Sequence, residues 1–456
     1  MAEKIFLLLA CDLHLTVMRP LHFPLFTLCS AALAVSCAVP LTVRAQPSTP
    51  ALPVPNYDEA KVGNLPIPDV LTAEDGSHIS SVADWQTKRR PELLRLFEKE
   101  VYGKTPEGKS SDIHFTVTSE DKNALHGKAT KREVRLFFGK GEAVHADVLV
   151  FLPNGLPHPA PVFVSLNFGG NQAVTDDATI KLSEGWFRND AKKGYVNNRA
   201  TEATRGSSAE RWPVEEIIAR GFGIATAYYG DFEPDHDGAA AEGVRSLYLN
   251  GGREIGAGDW GAIGAWAWGL SRIADYVVTL PEANAKKLIV LGHSRLGKTS
   301  LWAGAQDERF SVVISNDSGA GGAALSKRIF GETCANINHS FPHWMCGNFH
   351  KYSDNEAALP VDQHELIALM APRAVYIASA TEDLWADPKG EFLGGKLAEP
   401  IYHLFGKKGL ECDAPPAADT SVGFSIGYHA RTGKHNILLF DWRQYMNFAE
   451  KQWATP

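Results

Sequence analysis

The chain has 456 residues, of which 10% are aromatic and 21% are charged. This length and composition suit a globular protein with a large apolar core, folded as one large domain or a few smaller ones. The formal net charge is −8, and no basic face or arm stands out. The composition therefore argues against a nucleic-acid-binding protein.

The first 45 residues, 1–45, have the pattern of a signal peptide. A weakly basic stretch begins at Met18, an apolar run follows, and small residues precede a cleavage site after Ala45. The residues before Met18 are surplus to such a signal. A transmembrane anchor is the alternative, but Pro24 and Pro40 interrupt the apolar run. We therefore expect an exported protein, periplasmic or secreted, with no stable membrane insertion after cleavage.

The rest of the chain divides into a short linker and one domain. Residues 46–66 are rich in proline and alanine and should be extended, and residues 67–456 should form a single α/β domain. Two long irregular stretches, 171–211 and 319–362, are expected to shape a binding site. Hydrophobic patterning predicts strands at 133–138, 146–152, 161–166, 221–229, 288–291, 310–315 and 374–379, and helices at 90–100, 212–219, 259–280 and 438–453.

Because strands and helices alternate, we expect a three-layer αβα sandwich in which helices cover both faces of a mostly parallel sheet. One strand, 288–291, runs into a sharp turn bracketed by Gly292 and Gly297, and a helix follows. Strand, turn and helix together are typical of the nucleophile elbow of an α/β-hydrolase, with Ser294 as the nucleophile. The motif is imperfect, since Leu296 occupies the place of its second glycine. A polar turn is the alternative interpretation.

A nucleophilic serine needs a histidine base and a carboxylate that orients it, in the chain order serine, acid, histidine. His435 fits the base because it lies in a polar loop just before the last helix, with His429 as its nearest competitor. Two aspartates compete for the acid. Asp317 follows one predicted strand and Asp383 follows the next, and the sequence does not rank them.

Two cations follow the serine. Arg295 could donate to an oxyanion; its alternative is an ion pair at a helix start, an unfavourable end for a cation. Lys298 lies one helical turn past the serine and should point to the same side, which suggests a hydroxylated or anionic substrate, although it could be a solvated lysine.

No metal ion or other cofactor is expected. His339, His343 and Cys346 suggest a metal site, but Pro342 interrupts the helix that would align them. Cys334 and Cys346 lie in one insertion, so they are the pair that export could oxidise, the alternative being buried free thiols.

Four motifs, taken together and in this order, resemble one family. They are Gly-His-Ser-Arg-Leu-Gly-Lys, Asn-Asp-Ser-Gly-Ala-Gly-Gly-Ala-Ala, Ser-Phe-Pro-His-Trp and Gly-Lys-His. They resemble the bacterial branch of the glucuronoyl esterases, carbohydrate esterase family 15, over roughly residues 60–456. The resemblance implies an α/β-hydrolase that cleaves the ester between 4-O-methyl-glucuronate of glucuronoxylan and a lignin alcohol.

The same resemblance implies roles for individual residues. Fungal members use a glutamate at the position of Asp317, and many bacterial members also offer an aspartate at the position of Asp383. Fungal members carry a disulfide at the places of His293 and Asn436, so that bridge is absent here. By motif, Ser294 is the nucleophile, His435 the base and Arg295 the oxyanion support, while Lys298, Glu332 and Trp385 bind the sugar.

Two other functions are compatible with the sequence. One is an acetyl xylan esterase, or another carbohydrate esterase, with the same three catalytic residue types. The other is a non-catalytic carbohydrate-binding protein with a vestigial site.

Overall fold

A ten-stranded sheet lies at the centre of the molecule. The computed structural model describes residues 54–63, 66–106, 113–249 and 253–454, and the predicted signal peptide lies outside these ranges. The strands are β1 (His114–Ala124), β2 (Ala129–Phe137), β3 (His145–Pro153), β4 (Ala160–Asn167), β5 (Tyr195–Val196), β6 (Arg199–Ala200), β7 (Gly223–Tyr228), β8 (Ala283–His293), β9 (Phe310–Asn316), β10 (Ala374–Ala380), β11 (Val422–Gly423) and β12 (Ile426–Arg431).

The sheet runs in the order β1-β2-β3-β7-β4-β8-β9-β10-β12-β11, while β5 and β6 form a separate hairpin. Its six inner strands from β7 to β12 are parallel. Antiparallel strands flank them: β1, β2 and β3 at one edge and β11 at the other. The mostly parallel sheet expected from the sequence is therefore confirmed.

Helices cover both faces of the sheet. They are α1 (Val82–Asp84), α2 (Arg90–Phe97), α3 (Val214–Ala219), α4 (Tyr229–Phe232), α5 (Ala262–Val277), α6 (Arg295–Gln306), α7 (Cys334–Ser340), α8 (Gln363–Ala368), α9 (Pro388–Leu404) and α10 (Leu439–Trp453). Successive residues of a strand point to opposite faces. In β8, Leu288 and Val290 join the apolar cluster that contains residues of α5 and α6, while Ile289 and Leu291 join the cluster of α3 and α10. Burial on both faces explains the unbroken apolar run.

Among the elements that the sequence prediction missed are three that belong to the central sheet or its cover. Strand β1 is largely solvent-exposed and polar, so it lacks an apolar signal. Strand β12 is fully buried but contains His429 and Arg431, which find partners inside the protein. Helix α9 contains Gly394 and Pro400, residues that weaken a helix signal. A side chain at position 394 would come within 2.2 Å of the Ala323 carbonyl oxygen, so this glycine allows close packing.

The cysteine pairing considered above does not occur. Cys334 and Cys346 are both buried free thiols, and Cys412 is also free. Cys334 and Cys346 have different hydrogen-bond partners. The amide of Cys334 donates to Glu356, whereas the thiol of Cys346 lies 3.7 Å from the carbonyl oxygen of Lys99. Among the residues described, no helix has the length and apolar character needed to cross a membrane.

Candidate active site

Ser294 stands at a strained turn between β8 and α6. Its backbone has φ 60° and ψ −132°, a combination that non-glycine residues rarely adopt and that is concentrated at functional sites. A side chain at Gly292 would meet the Leu296 carbonyl oxygen at 1.7 Å, and one at Gly297 would meet Ser318 at 2.9 Å. The turn therefore needs small residues at 292 and 297. Leu296 is buried in the core, which accounts for the imperfect motif.

The eight residues assigned above to catalysis or sugar binding line one cavity of about 510 Å³: Ser294, Arg295, Lys298, Asp317, Glu332, Asp383, Trp385 and His435. They come from the ends of β8, β9 and β10, from the insertion 319–362 and from the loop after β12. Carboxyl ends of parallel strands share one edge of the sheet, which is where ligands bind in open α/β folds. Two turns of the insertion, at Phe341 and Trp344, complete the wall.

His435 is bonded to Asp383. The imidazole Nδ1 lies 2.5 Å from the Asp383 Oδ2, and Asp383 is buried at the start of the turn that follows β10. An N–H at Nδ1 leaves Nε2 as the basic nitrogen. Within the described ranges, the Ser294 hydroxyl makes no hydrogen bond; contacts of this kind often tighten only when substrate binds.

The second aspartate differs from the first. Asp317 Oδ2 is 4.0 Å from His435 Nδ1 and accepts a hydrogen bond from the amide of Asn436 at 3.2 Å. Burial, together with the charges of Glu391 and Asp383, raises the pKa of Asp317 well above its usual range. The protonated, neutral form of Asp317 is therefore favoured, and a neutral carboxyl group cannot orient the imidazolium of His435 by charge.

Glu391 of α9 fixes the loops on which both acids stand. Its carboxylate accepts hydrogen bonds from the amide and hydroxyl of Ser318, from the amide of Gly319 and from the hydroxyl of Ser379. Burial raises its pKa to about 8. Sequence reasoning missed Glu391 because its partners lie on two different strands.

Arg295 is clamped beside the serine. Its Nη1 forms an ion pair with Asp235, and its guanidinium carbon lies 4.6 Å from the ring centroid of Trp344, 5.4 Å from Phe341 and 5.6 Å from Phe168. Its Nε is buried without a hydrogen-bond partner in the described part of the chain. Burial lowers the pKa of Arg295, but the charge and hydrogen bond of Asp235, together with Tyr229 and Glu332, outweigh burial, so the pKa is raised.

Asp235, which sequence reasoning also missed, is the centre of this clamp. Besides Arg295, it accepts hydrogen bonds from the hydroxyl of Tyr229 at 2.9 Å and from His343 Nε2 and Trp344 Nε1 at 2.8 Å. Burial works to raise the pKa of Asp235, yet these donors and the Arg295 charge hold it well below its usual value. The only local signal was a Pro-Asp turn shortly after β7. His343, considered above as a metal ligand, is thus a partner of a carboxylate.

The three ammonium hydrogens of Lys298 have protein acceptors. Its Nζ lies 2.7 Å from the carbonyl of Ser318, 2.5 Å from that of Ala320 and 2.6 Å from Glu332 Oε2. A direct contact of Lys298 with sugar hydroxyls would have to displace one of these. The second carboxylate oxygen of Glu332 makes no hydrogen bond within the described residues, and Trp385 remains 38% exposed at the rim.

A polar link joins the segments that precede Ser294 and follow His435. With its amide turned so that the nitrogen donates, Asn316 lies 3.1 Å from His293 Nδ1 and 3.3 Å from the carbonyl of Asn436. Burial holds the pKa of His293 well below its usual value, so its ring is a neutral acceptor. His293, Asp317 and His435 have ligand atoms within 4.8 Å of one another and could hold a metal ion. His435, however, already has Asp383 as a partner.

His429, the competing base, lies elsewhere. It is buried in β12 and bonded to Tyr376 and Asp441 at 2.8 and 2.9 Å. Asp441 also accepts from Arg431 Nε at 3.0 Å, and Arg431 Nη2 donates to the carbonyls of Lys434 and Asn436. These two carbonyls flank His435, so the network supports its loop.

The order of the sheet, the strained serine after β8 and the histidine–aspartate pair after β12 and β10 define an α/β-hydrolase. A family model described as "Glucuronyl esterase, fungi" matches residues 254–406. Carbohydrate esterase MZ0003, from an unknown prokaryotic organism, is 48% identical over 87% of this chain and 91% of its own length.

Two solved structures are similar throughout. The glucuronoyl esterase from Solibacter usitatus is 46% identical with a TM-score of 0.82, and the match covers 87% of this chain and 100% of that one. A promiscuous CE15 esterase from the marine bacterial metagenome is 47% identical with the same TM-score and coverage. The chain therefore belongs to the glucuronoyl esterases, carbohydrate esterase family 15.

Proposed function

We propose that this protein is a serine esterase that cleaves the ester between 4-O-methyl-glucuronic acid of glucuronoxylan and lignin alcohols. The observation that carries the proposal is the convergence of Ser294 and the Asp383–His435 pair on one cavity that also holds Arg295 and Glu332. The family membership and the name of the Solibacter usitatus relative support glucuronate as the acyl group of the ester. Export, as the leader predicts, would bring the enzyme to its plant polymer.

The first step is acylation of the serine. His435 Nε2 accepts the Ser294 proton while the serine oxygen attacks the carbonyl carbon C6 of the uronate ester. Arg295 is assigned as the donor for the resulting oxyanion, because its Nε has no hydrogen-bond partner among the described residues. Its backbone amide is also at the N-terminus of α6, where amides have no intrahelical acceptor.

Acylation is complete when the C6–alkoxy bond breaks and the leaving alcohol takes the proton from His435. The second step releases the acid: water attacks C6 of the acyl-serine and gives a proton to His435. The C6–serine bond then breaks, and His435 returns that proton to the Ser294 oxygen, which frees the uronate and the enzyme. Asp383 is assigned as the orienting acid, because it contacts His435 directly and Asp317 is held toward its neutral form.

Recognition of the sugar is assigned to the part of the cavity wall that Glu332 and Trp385 form. The open oxygen of Glu332 can accept from a sugar hydroxyl, and the exposed ring of Trp385 can cover the face of the pyranose. Lys298 is assigned mainly to hold Glu332 in place, since all three of its donors are used within the protein.

The test is hydrolysis of the benzyl ester of glucuronic acid by the purified protein, with Ser294→Ala as the control. We expect turnover by the wild type only, and labelling of Ser294 by a fluorophosphonate probe. Faster release of acetate from acetylated xylan than of benzyl alcohol would instead favour an acetyl xylan esterase. Absence of both labelling and turnover would favour a carbohydrate-binding protein.

A further inference from the structure

The arm formed by residues 54–63 runs beside the active-site cavity. The carbonyl of Asn56 accepts a hydrogen bond of 2.8 Å from the amide of Gly331, and the next amide, that of Glu332, donates to the carbonyl of Trp385 at 2.8 Å. A side chain at Gly331 would lie 2.4 Å from the same Trp385 carbonyl oxygen. Three segments therefore lie side by side: the arm and the two turns that carry Glu332 and Trp385.

Ion pairs hold the arm on these turns. Glu59 lies 2.6 Å from Arg328 and 2.7 Å from Lys389. Arg328 is itself buried and paired at 2.8 Å with Asp387, whose side chain caps α9 directly after the Trp385 turn. Because Arg328 links both the arm and that cap, the arm has a defined position relative to the cavity.

Tyr57 is the aromatic residue that this arrangement presents to solvent. Its ring packs edge-on against Phe330, with 6.1 Å between centroids, and it remains 47% exposed. Burial and the charge of Asp383 raise the pKa of its hydroxyl. Leu384 and Trp385, whose carbonyl oxygens a side chain at Gly331 would meet, are also exposed, so exposed apolar side chains stand on the turns at this side of the cavity. Such surfaces, rimmed by polar groups, mark binding grooves.

The covalent connectivity of the substrate indicates which part of it would lie beside Tyr57. The alcohol is attached at C6, next to Ser294, whereas xylan is attached at C1, on the other side of the ring oxygen. With C6 at the serine and the uronate ring against Glu332 and Trp385, C1 faces outward along that wall. We propose, building on the function proposed above, that Tyr57, on the arm beside the Trp385 turn, forms a platform for the xylose residue that carries the uronate. The arm thus supplies a second sugar subsite.

The proposal is tested with two substrates that differ only in the sugar chain: benzyl glucuronate and the benzyl ester of a glucuronoyl xylotriose. Tyr57→Ala should lower kcat/KM about 3- to 10-fold for the larger ester, the range of one aromatic contact, mainly through KM, and leave the smaller ester unchanged. Tyr57→Phe should behave as wild type. Phe424→Ala is the matched control, because Phe424 is 41% exposed and lies beside β11, at the sheet edge.

Three results would overturn the proposal. Equal losses on both esters would mean that Tyr57 only supports the turns. No loss on the larger ester would mean that no subsite exists. A loss that depends on whether the alcohol is benzyl or methyl would assign the surface to the alcohol. Calorimetric binding of the free glucuronoyl xylotriose to wild type and Tyr57→Ala gives the same comparison without catalysis, so failure of the esterase function would be seen separately.

Discussion

Asp235→Asn separates the positioning of Arg295 from the general stability of the buried core. The aspartate accepts four hydrogen bonds, including that of Arg295. Asparagine keeps one acceptor oxygen, but its NH₂ group replaces the other oxygen and cannot accept a hydrogen bond from the Arg295 guanidinium. Losing one oxyanion donor outright costs about 100- to 1000-fold in kcat. Since Arg295 would be displaced rather than removed, we expect kcat to fall by about 10- to 100-fold with little change in KM.

A matched control lies two residues away. Glu233 is fully buried and pairs through both oxygens with Arg245, so Glu233→Gln breaks a similar ion pair that does not touch Arg295. Removing one partner of a buried pair costs about 3–5 kcal/mol of unfolding free energy, and both variants should lose stability in that range. Only Asp235→Asn should lose kcat on benzyl glucuronate.

A double-mutant cycle completes the test. If Asp235 acts through Arg295, then Asp235→Asn should have almost no further effect on kcat in an Arg295→Ala background, because coupled residues are not additive. Equal kcat losses in the Asp235 and Glu233 variants would refute the positioning role. So would full additivity with Arg295→Ala.

Three further predictions concern the same loops. Asp383→Asn should lower kcat by about 10⁴-fold through loss of the correct imidazole tautomer, whereas Asp317→Asn should have a small effect; equal losses, measured by steady-state kinetics, would show that the acids share the task. Arg431→Lys should slow fluorophosphonate labelling of Ser294, because an ammonium has three donors and cannot replace the four hydrogen bonds that Arg431 makes to Asp441 and to three carbonyls of the His435 loop, and an unchanged rate would contradict this. The pKa of Glu391 is raised from 4.5 to about 8, so the folded state keeps a proton that the unfolded state releases. The free energy of unfolding should then fall as pH rises from about 5 to 8, and Glu391→Gln should reduce that slope in denaturant titrations.

The sequence predicted the fold, the elbow serine and its candidate partners because their signals are local, whereas Glu332 and Trp385 were implied by the family resemblance. Strands such as β8 and β9 are buried on both faces, which produces unbroken apolar runs. The elbow is encoded within six residues, and the order of Ser294, Asp383 and His435 follows from the order of the strands. Nothing beyond neighbouring residues is needed to recognise these features.

The supporting residues could not be predicted in the same way. Asp235 and Glu391 are defined by partners that are distant in the chain, and each would pass for an ordinary surface carboxylate in a sequence. The ranking of the two acids likewise depends on burial: Asp317 lies among Glu391, Asp383 and Asp441, whose charges act on it only in the folded protein. Strand β12 was missed because its polar residues, His429 and Arg431, are paired internally.

The loop of His435 is braced by hydrogen bonds where the fungal branch, by the resemblance described above, has a disulfide. A disulfide contributes about 2–4 kcal/mol, and one hydrogen bond contributes about 1 kcal/mol net. Here Arg431 bonds the carbonyls on both sides of His435, Asp317 accepts from the amide of Asn436, and Asn316 spans to its carbonyl. Several such bonds together match the contribution of one disulfide. They also act directly on the backbone beside the imidazole and do not depend on an oxidant, so the position of His435 is set by folding alone.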